Sequence, residues 1–329
     1  MIVFATFHIS LQPSPSLSNI STDYQTTINL MFQSVSLFHR AVRKFVLSDL
    51  DTDFSQLSSD IVIQRYDIDT QSMMLSRLDT QTQFLKTVEP ESSVVLLDSD
   101  MLLNGSLDHL LQQPFDLGLT IRDPAPVHQG RPMPINGGIF FIPAKGKSAA
   151  IHFLENLQRI YRDRYSDSTQ WWGDQYALAE ILQRSGTTDL HPGNLELDGT
   201  CIYLLDCDRY NFSPELESEL DFARFEDSLV LHFKGPRKRF MQLYWDQFLA
   251  PNRQILPLEE AQKLLEKKVN LLQKDRFALK HKIQELKQTR KALVAENKRL
   301  VATNADLSAR LASPKQYIRH LFKQLRKRL

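Results

Sequence analysis

Over residues 1–250, short apolar runs alternate with apolar positions at helical spacing. Ile2-Val3-Phe4-Ala5 reads as a strand. Ile28, Phe32, Val35, Phe38 and Val42 follow at intervals of four, three, three and four, one face of a helix. Lys44-Phe45-Val46-Leu47 reads as the next strand, and residues 68–88 as a helix with Met74, Leu75, Leu78 and Phe84 as its apolar positions. Val94–Leu97 and Gly138–Ile142 are strand-like, Ala149–Tyr161 and Trp172–Leu182 helical, and Leu229–Leu231 a last strand. This alternation predicts an α/β fold, a Rossmann-like, mainly parallel sheet flanked by helices.

From Pro257 the period changes. Leu265, Leu272, Leu279, Leu286, Leu293, Leu300 and Leu307 recur every seventh residue, the period of a left-handed coiled coil with leucine at d. The a positions are Val269, Arg276, Ile283, Arg290, Asn297, Asn304 and Leu311. Leucine at d with Asn at a favours a parallel dimer; the alternative is a long solvated helix. Pro314 ends the repeat. Lys315–Leu329 then carries six Lys/Arg and no acid, with Tyr317, Ile318, Leu321, Phe322, Leu325 and Leu329 along one helical face. Such a helix suits an anionic membrane surface, with nucleic-acid phosphate a second candidate and a solvated helix end, its cations favoured by the C-terminal dipole, as the alternative. The chain thus divides into an α/β domain at 1–250, a coiled coil at 258–312 and a basic amphipathic tail at 313–329.

Charge supports that division. The 329 residues carry a formal net charge of +1, but residues 252–329 hold 20 Lys+Arg against 7 Asp+Glu, and residues 1–251 hold 20 against 32. The most basic block follows the zipper, whereas nucleic-acid-binding zippers place it directly before, which argues against that class. Hydrophobic residues at 42% and charged residues at 24% are globular values and exclude a disordered chain. No apolar run approaches the roughly 20 residues of a membrane span, and Met-Ile-Val-Phe-Ala reads as a strand, not a secretory signal. Cys201 and Cys207 alone make no disulfide framework, so a reducing, cytoplasmic setting is the expectation. The basic tail adds a contact with the inner face of a membrane to that expectation.

Candidate chemistry concentrates at Asp98-Ser99-Asp100, where an apolar strand ends in two carboxylates. Ligands of α/β sheets bind at the carboxyl ends of strands, and paired carboxylates there suit Mg²⁺ or Mn²⁺. Asp49/Asp51/Asp53, Asp67/Asp69 and Asp206/Asp208 are similar triplets, read as loop acids or caps; Asp49 follows a strand and is the main rival. His232 also follows an apolar run and can complete an Asp/Asp/His set. Lys234, Arg237, Lys238 and Arg239 crowd behind it, which suits a diphosphate bound beside a metal; the alternative is a basic loop leading toward the tail. Trp171-Trp172, ahead of Asp174, can stack on a sugar face or anchor the core.

Four motifs in order carry a resemblance: Asp98-Ser99-Asp100, Asn136-Gly137-Gly138-Ile139-Phe140-Phe141, Asp174-Gln175, and His232-Phe233-Lys234-Gly235-Pro236-Arg237-Lys238. Together they resemble the signatures of GT-A glycosyltransferases of the glycogenin and lipopolysaccharide galactosyltransferase group, over roughly residues 1–245. The resemblance implies a metal-dependent enzyme that moves a sugar from a nucleotide-diphosphate donor, a UDP-sugar, to a glycan or glycolipid with retention. It implies Asp98, Asp100 and His232 as ligands of Mn²⁺ or Mg²⁺, with Asp98 also near the ribose. Gly235 and Lys238 would bind the diphosphate, and Asn136 and Gly137 would contact the donor sugar. Asp174 and Gln175 would line the reacting carbon, and Arg77 would be a basic donor contact. Two parts of the family pattern differ: the segment Ala5-Thr6-Phe7-His8, and Arg239-Phe240 in place of the Pro-Trp that often follows the lysine. A degenerate transferase acting as a coiled-coil scaffold is the alternative class, and donor hydrolysis with Mn²⁺ separates the two.

Overall fold

The computed structural model describes residues 1–10, 23–128, 130–166, 172–183, 190–220, 228–250, 282–284, 286–305, 308 and 314–327. The chain divides into two compact units, Met1–Arg253 and Gln254–Leu329. In the first, the strands are β1 (Ile2–Phe7), β2 (Val42–Ser48), β3 (Ile61–Arg65), β4 (Ser93–Leu97), β5 (Met101–Leu103), β6 (Leu117–Ile121), β7 (Val127–His128), β8 (Arg131–Pro132), β9 (Ile135–Ile142), β10 (Gly193–Leu197), β11 (Thr200–Asp206) and β12 (Val230–His232). The helices are α1 (Tyr24–Phe38), α2 (Met73–Thr87), α3 (Asp108–Leu111), α4 (Lys147–Arg164), α5 (Gly173–Gln183) and α6 (Cys207–Tyr210), followed by short turns of helix at Arg239–Tyr244 and Trp245–Leu249.

Eight strands form one sheet in the order β10-β11-β6-β9-β4-β1-β2-β3. The pairs β1–β2, β1–β4, β2–β3 and β6–β11 are parallel; β4–β9, β6–β9 and β10–β11 are antiparallel. This is the α/β class that the alternation predicts, with antiparallel β9 inserted between β6 and β4. Because side chains alternate along a strand, Phe4, Val95 and Leu97 face one core with Ile28, Met31 and Phe32 of α1. Val3, Ala5, Val94 and Leu96 face the other, with Leu78 of α2, Leu154 of α4 and Leu178 of α5. Every residue of β9 is buried, which explains the apolar run Ile139–Ile142 at its end.

One expected boundary moves. Val42 keeps the helical phase of α1, yet α1 ends at Phe38 and Val42 opens β2. Asp23 starts α1 by accepting from the Gln25 backbone N–H at 3.0 Å, as an N-cap does.

In the second unit, helical backbone is described over 282–284 and 286–305, and again at Pro314–Leu325. The expected coiled coil at 258–281, and Leu307 and Leu311, lie outside the described residues. No helix among the described residues is long and apolar enough to cross a membrane.

Candidate functional site

The site lies where the carboxyl ends of β1 and β4 adjoin. These strands pair in parallel with Ala5 opposite Leu96, so the residues after them, His8 and Asp98, open onto one cleft, as the strand-end rule for α/β sheets requires. The cleft holds about 620 Å³ and is lined by all ten candidate residues: Arg77, Asp98, Asp100, Asn136, Gly137, Asp174, Gln175, His232, Gly235 and Lys238. A second hollow of about 550 Å³, beside α1, contains Lys44 and Asp60. That pair is already joined at 2.6 Å, and the hollow gathers no comparable donor set.

Two local pairings bring His232 to the carboxylates. β12 runs antiparallel to β5 with His232 opposite Met101, one residue beyond Asp100. The Phe233 N–H then donates to the Asp100 carbonyl at 2.8 Å. His232 Nε2 lies 3.1 Å from Asp100 Oδ1 and 3.5 Å from Asp98 Oδ2. One ligand atom from each of the three residues falls within 4.8 Å of the others.

A hydrogen-bond chain fixes the imidazole. The Asn136 carbonyl can only accept, so the Thr120 hydroxyl donates to it at 3.1 Å. Thr120 Oγ1 therefore accepts from the Asn211 amide at 2.9 Å. The Asn211 carbonyl oxygen is left to accept from His232 Nδ1–H at 2.9 Å. Nδ1–H is thereby committed to Asn211, and Nε2 is the ring nitrogen that faces the two carboxylates, the orientation of a metal-ligating histidine. The two carboxylates and this nitrogen fit a divalent cation such as Mn²⁺ or Mg²⁺. Neither Asn211 nor Thr120 is visible in the sequence reading, because nothing local marks them.

Arg77 sits deeper. Its Nη1 donates to Asp98 Oδ1 at 2.7 Å, and its Nη2 to Asp174 Oδ2 at 2.9 Å and to the Gly137 carbonyl at 3.0 Å. It is 7% exposed and Asp174 1%, so the guanidinium ties α2, β4, β9 and α5 together below the cleft. Burial pushes the Asp174 carboxyl up, with Arg77 opposing. Burial raises Asp98 in the same way, against Arg77 and His232. At Asp100 burial acts upward too, but His232 and Lys238 outweigh it and hold the carboxyl well below its ordinary range. Lys238 Nζ is 3.4 Å from Asp100 Oδ2. Lys234 also lines the cleft, and burial beside Arg122 lowers its ammonium to about 8. Arg237 turns away to Glu215, at 2.8 Å.

The glycines of the second motif have steric reasons. Pairing of β6 with β9 jumps from Leu119↔Phe140 to Thr120↔Asn136, an irregularity of the kind found beside active sites. A Cβ on Gly138 would lie 2.7 Å from His232 Cε1 and 2.8 Å from Asp98 Oδ2. Gly138→Ala is therefore expected to push the ligands apart and weaken Mn²⁺ binding by about tenfold or more in calorimetric titration, with the far-UV spectrum retained. Unchanged affinity would refute the placement. Gly235 has φ +54°, the left-handed region that glycine occupies without strain.

The rival triplets have structural roles. Asp49 accepts from the Thr52 N–H at 2.9 Å, Asp69 from Gln71 N–H at 2.9 Å, and Asp206 caps α6 through Asp208 N–H at 2.9 Å. Asp174 Oδ1 and Gln175 Oε1 are buried acceptors with no protein partner. His8, which the sequence marks only as part of a segment that differs from the family pattern, stacks on Tyr24 at 4.6 Å between ring centroids and leaves Nε2 without a partner. Burial, then Lys238, lowers it to about 4, so it is neutral at neutral pH. The strand-end rule that selects Asp98 also selects His8. Trp171 lies outside the described residues; Trp172 lines the cleft.

No protein-family model matches the chain, and no curated protein matches it in sequence. Among solved structures it is similar to the glycosyltransferase GlyE of Streptococcus pneumoniae TIGR4, at 17% identity and TM-score 0.41, over 74% of this chain and 59% of that one. It is similar to a glycosyltransferase involved in glycosylation of the major capsid of PBCV-1, at 13% identity and TM-score 0.46, over 74% of this chain and 98% of that one. It is similar to the galactosyltransferase LgtC, solved with donor and acceptor sugar analogs, at 15% identity and TM-score 0.42, over 76% of this chain and 97% of that one. All three neighbours are glycosyltransferases. The chain spans 59% of the length of the first. At these TM-scores, what the cleft does has to be derived from its own residues.

Proposed function

We propose that the chain is a metal-dependent glycosyltransferase of GT-A type, moving a sugar from a nucleotide-diphosphate donor, a UDP-sugar, to a glycan or glycolipid. The observation that carries this reading is the Asp98/Asp100/His232 set with Lys234 and Lys238 beside it, in a region where acids outnumber bases. Carboxylates and ammonium groups gathered at one strand end make a site for a cation and a polyanion together. When bound, the cation offsets charge on the departing diphosphate. Lys238 and Lys234 approach the same diphosphate from the turn at Gly235. Asn211 holds His232 in the ligating tautomer. Asp174 Oδ1 and Gln175 Oε1 offer acceptors to the hydroxyls of the donor sugar. Asp174, ion-paired and 1% exposed, suits positioning rather than taking a proton from an incoming hydroxyl, which agrees with the retention that the resemblance implies.

Thermal shift of the full chain with a panel of nucleotide sugars tests this. A ligand at about 100 times its Kd stabilises by roughly 2.7 kcal/mol, so the cognate donor should raise Tm in Mn²⁺ and lose that effect in chelator. No shift from any UDP-, GDP-, ADP- or CDP-sugar in Mn²⁺ would sink the reading.

The heptads belong to the same proposal as a homodimer contact. Leu286, Leu293 and Leu300 are 62%, 65% and 53% exposed in the single chain, a stripe at d spacing that a second copy would cover. A chain ending at Ala250 is expected to be monomeric and the full chain dimeric by light scattering; equal stoichiometry rules this out. In the tail, Ile318 and Phe322 are 53% and 67% exposed beside Lys315, Arg319 and Lys323. Removal of Lys315–Leu329 is expected to release the protein from phosphatidylserine vesicles at low salt without slowing donor hydrolysis. A full chain that ignores such vesicles excludes the membrane contact.

A further inference from the structure

The carboxyl edge of the sheet extends past the metal set. β6 and β4 are both antiparallel to β9, so β6 runs in the direction of β4 and β1. The strand-end rule that places His8 and Asp98 in the cleft therefore also selects Arg122, the residue after β6, and Arg122 lines the cleft. Its backbone N–H donates to the Pro134 carbonyl at 2.7 Å, which fixes where the side chain starts. With neighbouring strands about 4.8 Å apart, β6 stands roughly 10 Å from β4, on the side away from β1.

No acid among the described residues is ion-paired with this guanidinium, although the unit around it is acidic. Arg43, Arg77, Arg162, Arg164 and Arg237 each meet a carboxylate at 2.5–2.9 Å. Asp206 pairs in register with Ile121, so Cys207 stands beside Arg122. Burial raises that thiol, which is neutral at neutral pH. The other neighbour, Lys234, is itself a cation. The cleft is lined by four cations, Arg77, Arg122, Lys234 and Lys238, against three acids, Asp98, Asp100 and Asp174. A divalent cation and the two charges of a diphosphate cancel, so a cleft that holds both keeps the excess of one positive charge. Arg77 is held by Asp98 and Asp174, and Lys238 stands by Asp100. The excess therefore falls at the β6 end.

We propose that Arg122 selects a substrate that carries a carboxylate on a pyranose ring, a hexuronate, and seats that carboxylate at the β6 end of the cleft. This rests on the glycosyl-transfer reading above. A guanidinium presents its N–H donors as a planar fork that matches the two oxygens of a carboxylate. A neutral sugar in the same place leaves the fork facing hydroxyls, which accept more weakly than an ionised group. The carboxylate belongs to the donor sugar or to the acceptor; the chemistry is the same, and the experiment separates the two.

Calorimetric titration of the full chain in Mn²⁺ tests this. The donor arm compares UDP-glucuronate with UDP-glucose and UDP-galacturonate with UDP-galactose. The acceptor arm, with UDP present, compares methyl β-D-glucuronide with methyl β-D-glucoside and methyl α-D-galacturonide with methyl α-D-galactoside. In one arm the acidic member of a pair should bind about tenfold or more tighter than the neutral one. Arg122→Gln should remove that preference, and Arg122→Lys should keep part of it, since an ammonium has the charge without the fork. UDP affinity should stay within about twofold in both variants, which also shows that they fold. Equal binding within every pair overturns the proposal, as does a preference that survives Arg122→Gln or a wild-type protein that binds none of the acidic compounds. UDP affinity that falls in step with the acidic compound makes Arg122 a diphosphate ligand and overturns it too. An acidic preference that depends on Arg122 in a protein that binds no UDP keeps the carboxylate site and removes the transferase reading.

Discussion

Arg77→Met is expected to destabilise the Met1–Arg253 unit by roughly 3–5 kcal/mol, the cost of removing one partner from a buried ion pair, and to lower its melting temperature by about 10 °C. The guanidinium is the shared partner of Asp98 and Asp174 and also satisfies the Gly137 carbonyl. Without it, two carboxylates already pushed up by burial face each other with no compensating cation. The double variant Arg77→Met/Asp174→Asn should recover part of the loss, because one of the stranded charges is gone. Denaturant titrations of the single and double variants measure the coupling. Strictly additive losses would show that Arg77 acts by filling space and not by its charge.

Asp100→Ala is expected to abolish metal-dependent donor hydrolysis, by more than about 100-fold, since even outer-sphere partners of a metal cost 10–100-fold. The fold should persist: Asp100 holds His232 and Lys238, and Lys238 can turn to solvent. The pH dependence of the stability difference follows from the depressed Asp100 carboxyl. A carboxyl lower in the folded chain than in the unfolded one stabilises above the ordinary range and loses that contribution as pH falls. The wild-type advantage over Asp100→Ala should therefore be full near neutrality and shrink below about pH 4. Wild-type turnover in the variant would remove Asp100 from the site.

The α/β alternation was legible from its apolar runs, and nine of the ten cleft residues because each sits at an end of a strongly apolar strand or in a short motif; Arg77, inside α2, came only from the resemblance. What was not legible has physical causes. β6 is interrupted by Gly118 and Thr120, and β10 by Asn194 and Glu196 at the sheet edge, so neither shows an apolar run; β11 carries one at Cys201–Leu205 that the strand assignment missed. Val42 kept the phase of α1 although the chain had turned at His39-Arg40-Ala41 into β2. Antiparallel β9 reads like any buried strand, since burial on both faces erases direction. Asn211 and Thr120 act through hydrogen bonds that no spacing encodes. The left-handed backbone of Trp172, with φ +78°, is equally hidden, because the residue that announces such a backbone in a sequence is glycine.

The bonds that close the site join distant parts of the chain. Arg77 meets Gly137 across 60 residues and Asp174 across 97, and the Tyr244 hydroxyl reaches Asn104 across 140. Loop closures of that size come late and make folding slow. The metal set itself is divided, Asp98 and Asp100 following β4 and His232 ending β12, so a fragment that lacks either strand lacks part of it. If the proposed site takes Mn²⁺, its affinity reports cooperative folding: in a denaturant series it should vanish together with the near-UV spectrum. A truncated or nicked chain would lose metal binding altogether, with no weakened intermediate.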